Sequence, residues 1–168
     1  MRYIFTMAVI AASLIGCTSN EEKPASTTDT AHDAHPSTAT AAVTDNTPLP
    51  EIPANARVFF VNLKDGQTVT SPLKVEMGVE GLKVDSATAG LKAGSGHHHL
   101  LIDIDSIPSK VMVPATDSVR HYHFGNAQTS AEIKLTPGKH VLVLQFADAL
   151  HRSFGTRLTS RITVDVKQ

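Results

Sequence analysis

Gly96-His97-His98-His99-Leu100-Leu101-Ile102-Asp103-Ile104-Asp105 is the stretch on which the fold turns. Side chains of a strand point alternately to its two faces. An extended reading puts His98, Leu100, Ile102 and Ile104 on one face. His97, His99, Leu101, Asp103 and Asp105 take the other. The first face has the pattern of a core. The second gathers imidazoles and carboxylates, the side chains that ligate metal ions.

Segments of the same kind lie on both sides of it. Upstream, residues 57–63 form an apolar run closed by the turn Lys64-Asp65-Gly66, which carries the glycine such turns use. Residues 69–79 alternate through Leu73, Val75, Met77 and Val79, with Pro72 suited to an edge or a strand start. Residues 81–96 read as a long loop. Downstream, 107–120 is irregular, and His121-Tyr122-His123-Phe124-Gly125 is a short extended piece. Residues 131–135 alternate, Pro137-Gly138 turns the chain into 139–148, a loop spans 149–156, and 158–166 alternates to the end. No segment has a helical period. About seven short strands with turn signals between them predict an all-β fold, an immunoglobulin-like antiparallel β-sandwich. An eight-stranded jelly roll or a small barrel is the alternative. With one Cys and no Trp, the chain has neither an intrachain disulfide nor the Cys-Trp-Cys framework of antibody domains.

The 168-residue chain divides into an acidic arm and a mildly basic body. Residues 18–56 hold six acids and one base, about −5; residues 57–168 hold ten acids and thirteen bases, about +3. The formal net charge of −1 argues against nucleic acid as a partner. Met1-Arg2 followed by the apolar run Tyr3 to Ile15 has the proportions of an export signal and is too short to span a bilayer. It ends in Leu14-Ile15-Gly16-Cys17, which resembles a bacterial lipobox. The expectation is a lipoprotein signal peptide over 1–16 and lipidation of Cys17, with an ordinary signal peptide as the plainer reading. The lipid anchors the exported protein on the periplasmic side, and Thr18 in place of Asp favours the outer membrane. Residues 18–56, rich in Thr, Ser, Ala and Pro, cannot bury enough apolar surface to offset ordering entropy. They read as a disordered linker with a span on the order of 35 Å. His32 and His35 sit in it as solvated residues. The folded domain is expected over 57–168.

Several blocks resemble the domain of unknown function 4399 family of bacteria. They are residues 58–66, 71–81, Gly96 to Asp103, His123-Phe124-Gly125, Leu135 to His140 and Asp148 to His151. The resemblance implies a domain over 57–166 with the His blocks as its signature, and it implies no activity. Residues 139–148 also resemble the late strand of bacterial immunoglobulin-like repeats.

Seven of the nine histidines lie beyond residue 90. His97 and His99, two apart on one strand face, can meet one ion, and His121 and His123 repeat the spacing in a second extended segment. If the two segments are neighbours, four imidazoles face each other, a set that suits copper or zinc. Asp103, Asp105 and Asp148 are candidates to orient the rings. His140 and His151 are possible additional members, although His151 reads first as a loop residue; Asp148 precedes it by three in a loop able to close over one end. The competing reading is a hydrogen-bonded network that pins loops to the sandwich, in a structural or protein-interaction module facing an envelope partner. His98 belongs with the core, and Met77 and Met112 read as space-fillers. Catalysis finds little support. Gly94-Ser95-Gly96-His97 is not a nucleophile elbow, and none of Glu76, Glu80 and Glu132 adjoins a His block to act as general base in a hydrolytic metal site.

Overall fold

The computed structural model describes residues 47–114 and 118–167. The apolar run 3–15, Cys17, His32, His35 and most of the expected linker lie outside these residues. In chain order the strands are β1 (Arg57–Phe60), β2 (Gln67–Val69), β3 (Leu73–Glu80), β4 (Lys83–Val84) and β5 (Ser95–Ile102). They continue with β6 (His121–His123), β7 (Ser130–Ile133), β8 (Gly138–Ala147) and β9 (Thr159–Val166). Among the described residues, the remaining regular structure is two short 3-10 turns, Ala87–Ala89 and Gly155–Leu158.

The strands form an all-β sandwich. One sheet has the order β1-β3-β7; the other has the order β2-β9-β8-β5-β4, with β6 also paired to β5. Most pairs are antiparallel; the short pairs β2–β9 and β4–β5 are parallel. The expected seven strands are all present. The 69–79 run is divided at Pro72 into β2 and β3, and β4 is an addition, a two-residue pairing too short to leave a pattern. Among the described residues, no helix is long and apolar enough to cross a membrane.

The register places the core. Leu100 lies opposite Leu144, Ile102 opposite Leu142 and His98 opposite Phe146. Leu142 in turn faces Ile162. Leu100, Ile102, Leu142, Leu144, Phe146 and Ile162 share one cluster with Val58, Phe60, Val75 and Met77 from the other sheet. Fully burying such side chains contributes about 1.5–3 kcal/mol each. Residues 47–56, which composition assigns to the linker, lie on this cluster: Leu49 and Ile52 pack against it and Ala56 belongs to it. Arg157 fastens the segment by donating to the carbonyls of Pro53, Ala54 and Ala56.

The opposite face of β5 is buried by loops. His97 lies beside Ala147, His99 beside Gln145 and Leu101 beside Val143. Leu101, Val143 and Ala147 are buried but stand outside the main core cluster. Two loops cover them, 103–114 and 148–158, and stitch to each other. Lys110 N–H donates to Ser153 O (2.8 Å), Ser153 N–H to Val111 O (3.0 Å) and Val113 N–H to His151 O (2.7 Å). Gln145, fully buried, ties both loops to the sheet. Its Oε1 accepts from Ile107 N–H (3.1 Å) and its Nε2 donates to Gly155 O (3.1 Å).

Candidate metal centre

The pairing of β5 with β6 supplies the neighbourhood that the sequence requires. His99 lies opposite His123, and Leu101 opposite His121. Tyr122, opposite Leu100, turns to the core. His97, His99, His121 and His123 therefore share the loop-covered face. The turn after β8 adds His151 from above.

Four histidines converge: His97, His99, His123 and His151 each offer a ligand atom, and these atoms lie within 4.8 Å of one another. His97 Nε2 is 3.0 Å from His99 Nε2, and His123 Nε2 is 3.0 Å from His151 Nε2. Around a tetrahedral ion with metal–nitrogen bonds of about 2.0–2.1 Å, neighbouring nitrogens sit roughly 3.3–3.4 Å apart. The four side chains could hold a metal ion between them. His97 and His99 are fully buried and form the floor, while His123 and His151 are partly exposed and form the mouth. Gly125 makes room for this. A Cβ there would stand 2.4 Å from His123 Cε1 and 2.5 Å from His123 Nε2.

His121 stands one ring farther out. Its Nε2 is 3.0 Å from His99 Nδ1, and the two ring planes are within 5° of parallel. It thus occupies the nitrogen of His99 that faces away from the four-residue cluster. A partner of this kind fixes a ligand's tautomer and ring orientation.

The electrostatics keep His97, His99 and His151 neutral. Burial, with the neighbouring His151 and His123 adding to it, pushes the His97 imidazolium down to about 3. Burial and the four surrounding imidazoles lower His99 still further. Burial and then His123 lower His151, with Asp148 partly offsetting them. Neutral imidazole is the form that ligates. At neutral pH no proton has to leave these three rings before a metal enters.

Asp103, Asp105 and Asp148 do not join the cluster. Asp103 ends β5 with a φ of 54°, and its carboxylate accepts from Val141 N–H (2.8 Å) and meets His140 Nδ1 (2.8 Å). His140, whose Nε2 also reaches Thr136 O (2.9 Å), belongs to this separate clamp. Asp105 pairs with Arg161 (3.0 Å). Asp148, fully buried, pairs with Arg152 (2.8 Å). Met77 fills the core and Met112 is exposed. His98 is in the core, edge-on to Phe146 with ring centroids 5.0 Å apart. Neither of its ring nitrogens has a hydrogen-bond partner among the described residues.

His151 is the member that the loop reading left aside. It has no strand partner and no repeat spacing. The one local signal is the Asp148 three residues before it.

Residues 75–167, which include all four converging histidines and His121, match the family model described as Domain of unknown function (DUF4399). The match begins inside β3, so β1 and β2, which the resemblance over 57–166 takes in, lie outside it. No curated protein and no solved structure matches the chain. Over more than half of its length, from β3 to the end of β9, the chain belongs to the Domain of unknown function (DUF4399) family.

Proposed function

We propose that this chain is a lipid-anchored envelope protein whose four-histidine site binds a divalent transition metal, copper or zinc, as a buffer or relay without catalysis. The convergence of His97, His99, His123 and His151 carries the reading. Imidazole nitrogens suit zinc and copper, whereas magnesium, calcium and manganese favour oxygen donors. Among the described residues, the three aspartates considered as partners are engaged elsewhere: Asp103 with His140, Asp105 with Arg161, Asp148 with Arg152. The non-catalytic part is supported by the glutamates Glu76, Glu80 and Glu132, which lie on β3 and β7 in the opposite sheet. The envelope location rests on Leu14-Ile15-Gly16-Cys17. Replacing Cys17 by Ser should release the protein from the membrane fraction.

Calorimetric titration of the wild type with Zn(II) and Cu(II) tests the site, alongside His99→Ala and His123→Ala. The wild type is expected to bind one ion with a dissociation constant below about 10 micromolar, roughly −7 kcal/mol, and each variant to bind far more weakly. Wild-type affinity weaker than that limit sinks the reading.

The two 3.0 Å nitrogen–nitrogen contacts also favour a second reading, a hydrogen-bonded network that pins the loops. In that case the same variants lower the melting temperature, and added metal leaves wild-type stability unchanged. A ligand that binds only the native state must raise it.

A further inference from the structure

The turn from Asp148 to Arg152 delivers one of the four converging imidazoles, and its backbone is held by an unusual set of contacts. His151 has a φ of 64°, in the left-handed region that residues with a Cβ seldom occupy. Such a conformation persists only where its surroundings over-determine it. Asp148 supplies most of those surroundings. Its carbonyl accepts from His151 N–H (2.9 Å). Its Oδ1 accepts from Leu150 N–H and Arg152 N–H, both at 2.9 Å. Its Oδ2 accepts from Arg152 Nε (2.8 Å). The His151 carbonyl is fixed in turn by Val113 N–H (2.7 Å).

The carboxylate and the guanidinium are 0% and 1% exposed. A buried ion pair is weak support for stability, because desolvation consumes most of its Coulombic gain. What this pair does is hold one backbone shape. Oδ1 spans the two N–H groups that flank His151 in sequence, so it fixes the direction in which that ring leaves the chain. The result is His151 Nε2 at 3.0 Å from His123 Nε2, over the floor made by His97 and His99.

We infer that Asp148 is a positioning residue for the metal site, acting through His151. The inference rests on the metal reading above, and it assigns Oδ1 the specific task of setting the fourth ligand. Asp148 itself lies outside the converging set, so its effect on a metal is indirect.

Two double variants isolate that oxygen, Asp148→Asn/Arg152→Met and Asp148→Ala/Arg152→Met. Both remove the ion pair and leave no stray charge; only the first keeps an acceptor at Oδ1. Zn(II) affinity is measured by calorimetry on the full chain, and folding by the thermal melt of the metal-free protein. The Asn variant is expected within about threefold of wild type. The Ala variant is expected to lose 10- to 100-fold, the range typical for partners that orient a ligand. In a His151→Ala background the difference between the two should vanish, because the ligand through which Oδ1 acts is gone. If the Ala variant does not fold, Asp148→Ser/Arg152→Met takes its place, with an intermediate loss expected. Equal affinities, or a difference that survives His151→Ala, overturn the inference. A wild type that binds no Zn(II) overturns the metal reading as well, and is recognised because no variant then has an affinity to lose.

Discussion

The two faces of β5 alternate along a single eight-residue strand and are buried by different means. On the core face, His98, Leu100 and Ile102 meet Phe146, Leu144 and Leu142 of β8 and the apolar residues of the second sheet. On the other, His97, His99 and Leu101 lie under loops. Exposure does not separate them, since all six are between 0% and 3%. Partners do. The core face is filled by side chains arriving from strands, with contacts that are nearly all apolar. The covered face is filled by the His121–His123 segment and the 148–152 turn, and its histidines meet other nitrogens. Connecting segments carry function on a rigid scaffold; here one of them, the 148–152 turn, adds His151 to the imidazoles of β5 and β6 and completes the converging set.

The largest effect that separates the faces is a core truncation. Leu100→Ala removes a fully buried side chain from the sandwich interior and should lower stability by about 4 kcal/mol, near the upper end for Leu→Ala changes. Leu101→Ala should lower it by about 2 kcal/mol, because loops relax into the space more readily than packed strands. Urea denaturation of both measures this. Equal losses would mean that the loop-covered face is packed as rigidly as the core.

Acid should discriminate next. Burial holds the folded-state imidazolium of His98 down to about 4 and that of His97 down to about 3, from an ordinary 6.5. The unfolded chain takes up these protons first. Stability is therefore fully present above about pH 6.5 and is lost as the pH falls toward 4 for His98 and 3 for His97. For His98 alone the loss reaches on the order of 3 kcal/mol. Zn(II) at saturating concentration should delay the loss contributed by His97 and leave that of His98 untouched, because only the former faces the converging set. Unfolding curves between pH 4 and 8, with and without Zn(II), check it. A metal-free protein whose stability is flat over that range would contradict the assignment of both faces.

The division of β5 was legible from alternation alone: His98 with Leu100 and Ile102, His97 with His99. So was the partner segment, since His121 and His123 repeat the same spacing, and the register sets His123 opposite His99. Three features were not legible. The strand was expected to run to Asp105, and it stops at Ile102 because Asp103 turns into a left-handed conformation and spends its carboxylate on His140 and Val141. Alternation cannot announce that reversal. Of the four histidines paired by spacing, His121 falls one ring outside the convergence and His151 falls inside it. His151 is delivered by a turn whose shape comes from a buried Asp–Arg pair four residues apart, and the burial that gives this local pair its role has no periodic signature. The covered face itself was also hidden, because the loops that bury it have no apolar pattern.

The smallest effect tests the core face where it departs from its own logic. His98 is a polar ring in an apolar setting, with Nδ1 and Nε2 both unpartnered among the described residues. An unsatisfied buried donor or acceptor costs about 1–3 kcal/mol relative to its hydrated state. Replacing it by a side chain of comparable volume and no polar atoms removes that penalty, and the small loss of shape complementarity against Phe146 offsets part of the gain. His98→Leu should therefore raise stability by about 1 kcal/mol at pH 7. That is a rise of about 3 °C in melting temperature for a domain of this size. It should leave Zn(II) affinity within twofold of wild type and flatten the acid curve by the share assigned to His98. His99→Leu, one residue away on the other face, should instead abolish tight metal binding. A His98→Leu protein that is destabilised by more than 1 kcal/mol, or that binds metal more weakly, would show that this ring has a polar role on the core face, and that the two faces of β5 are chemically closer than their partners indicate.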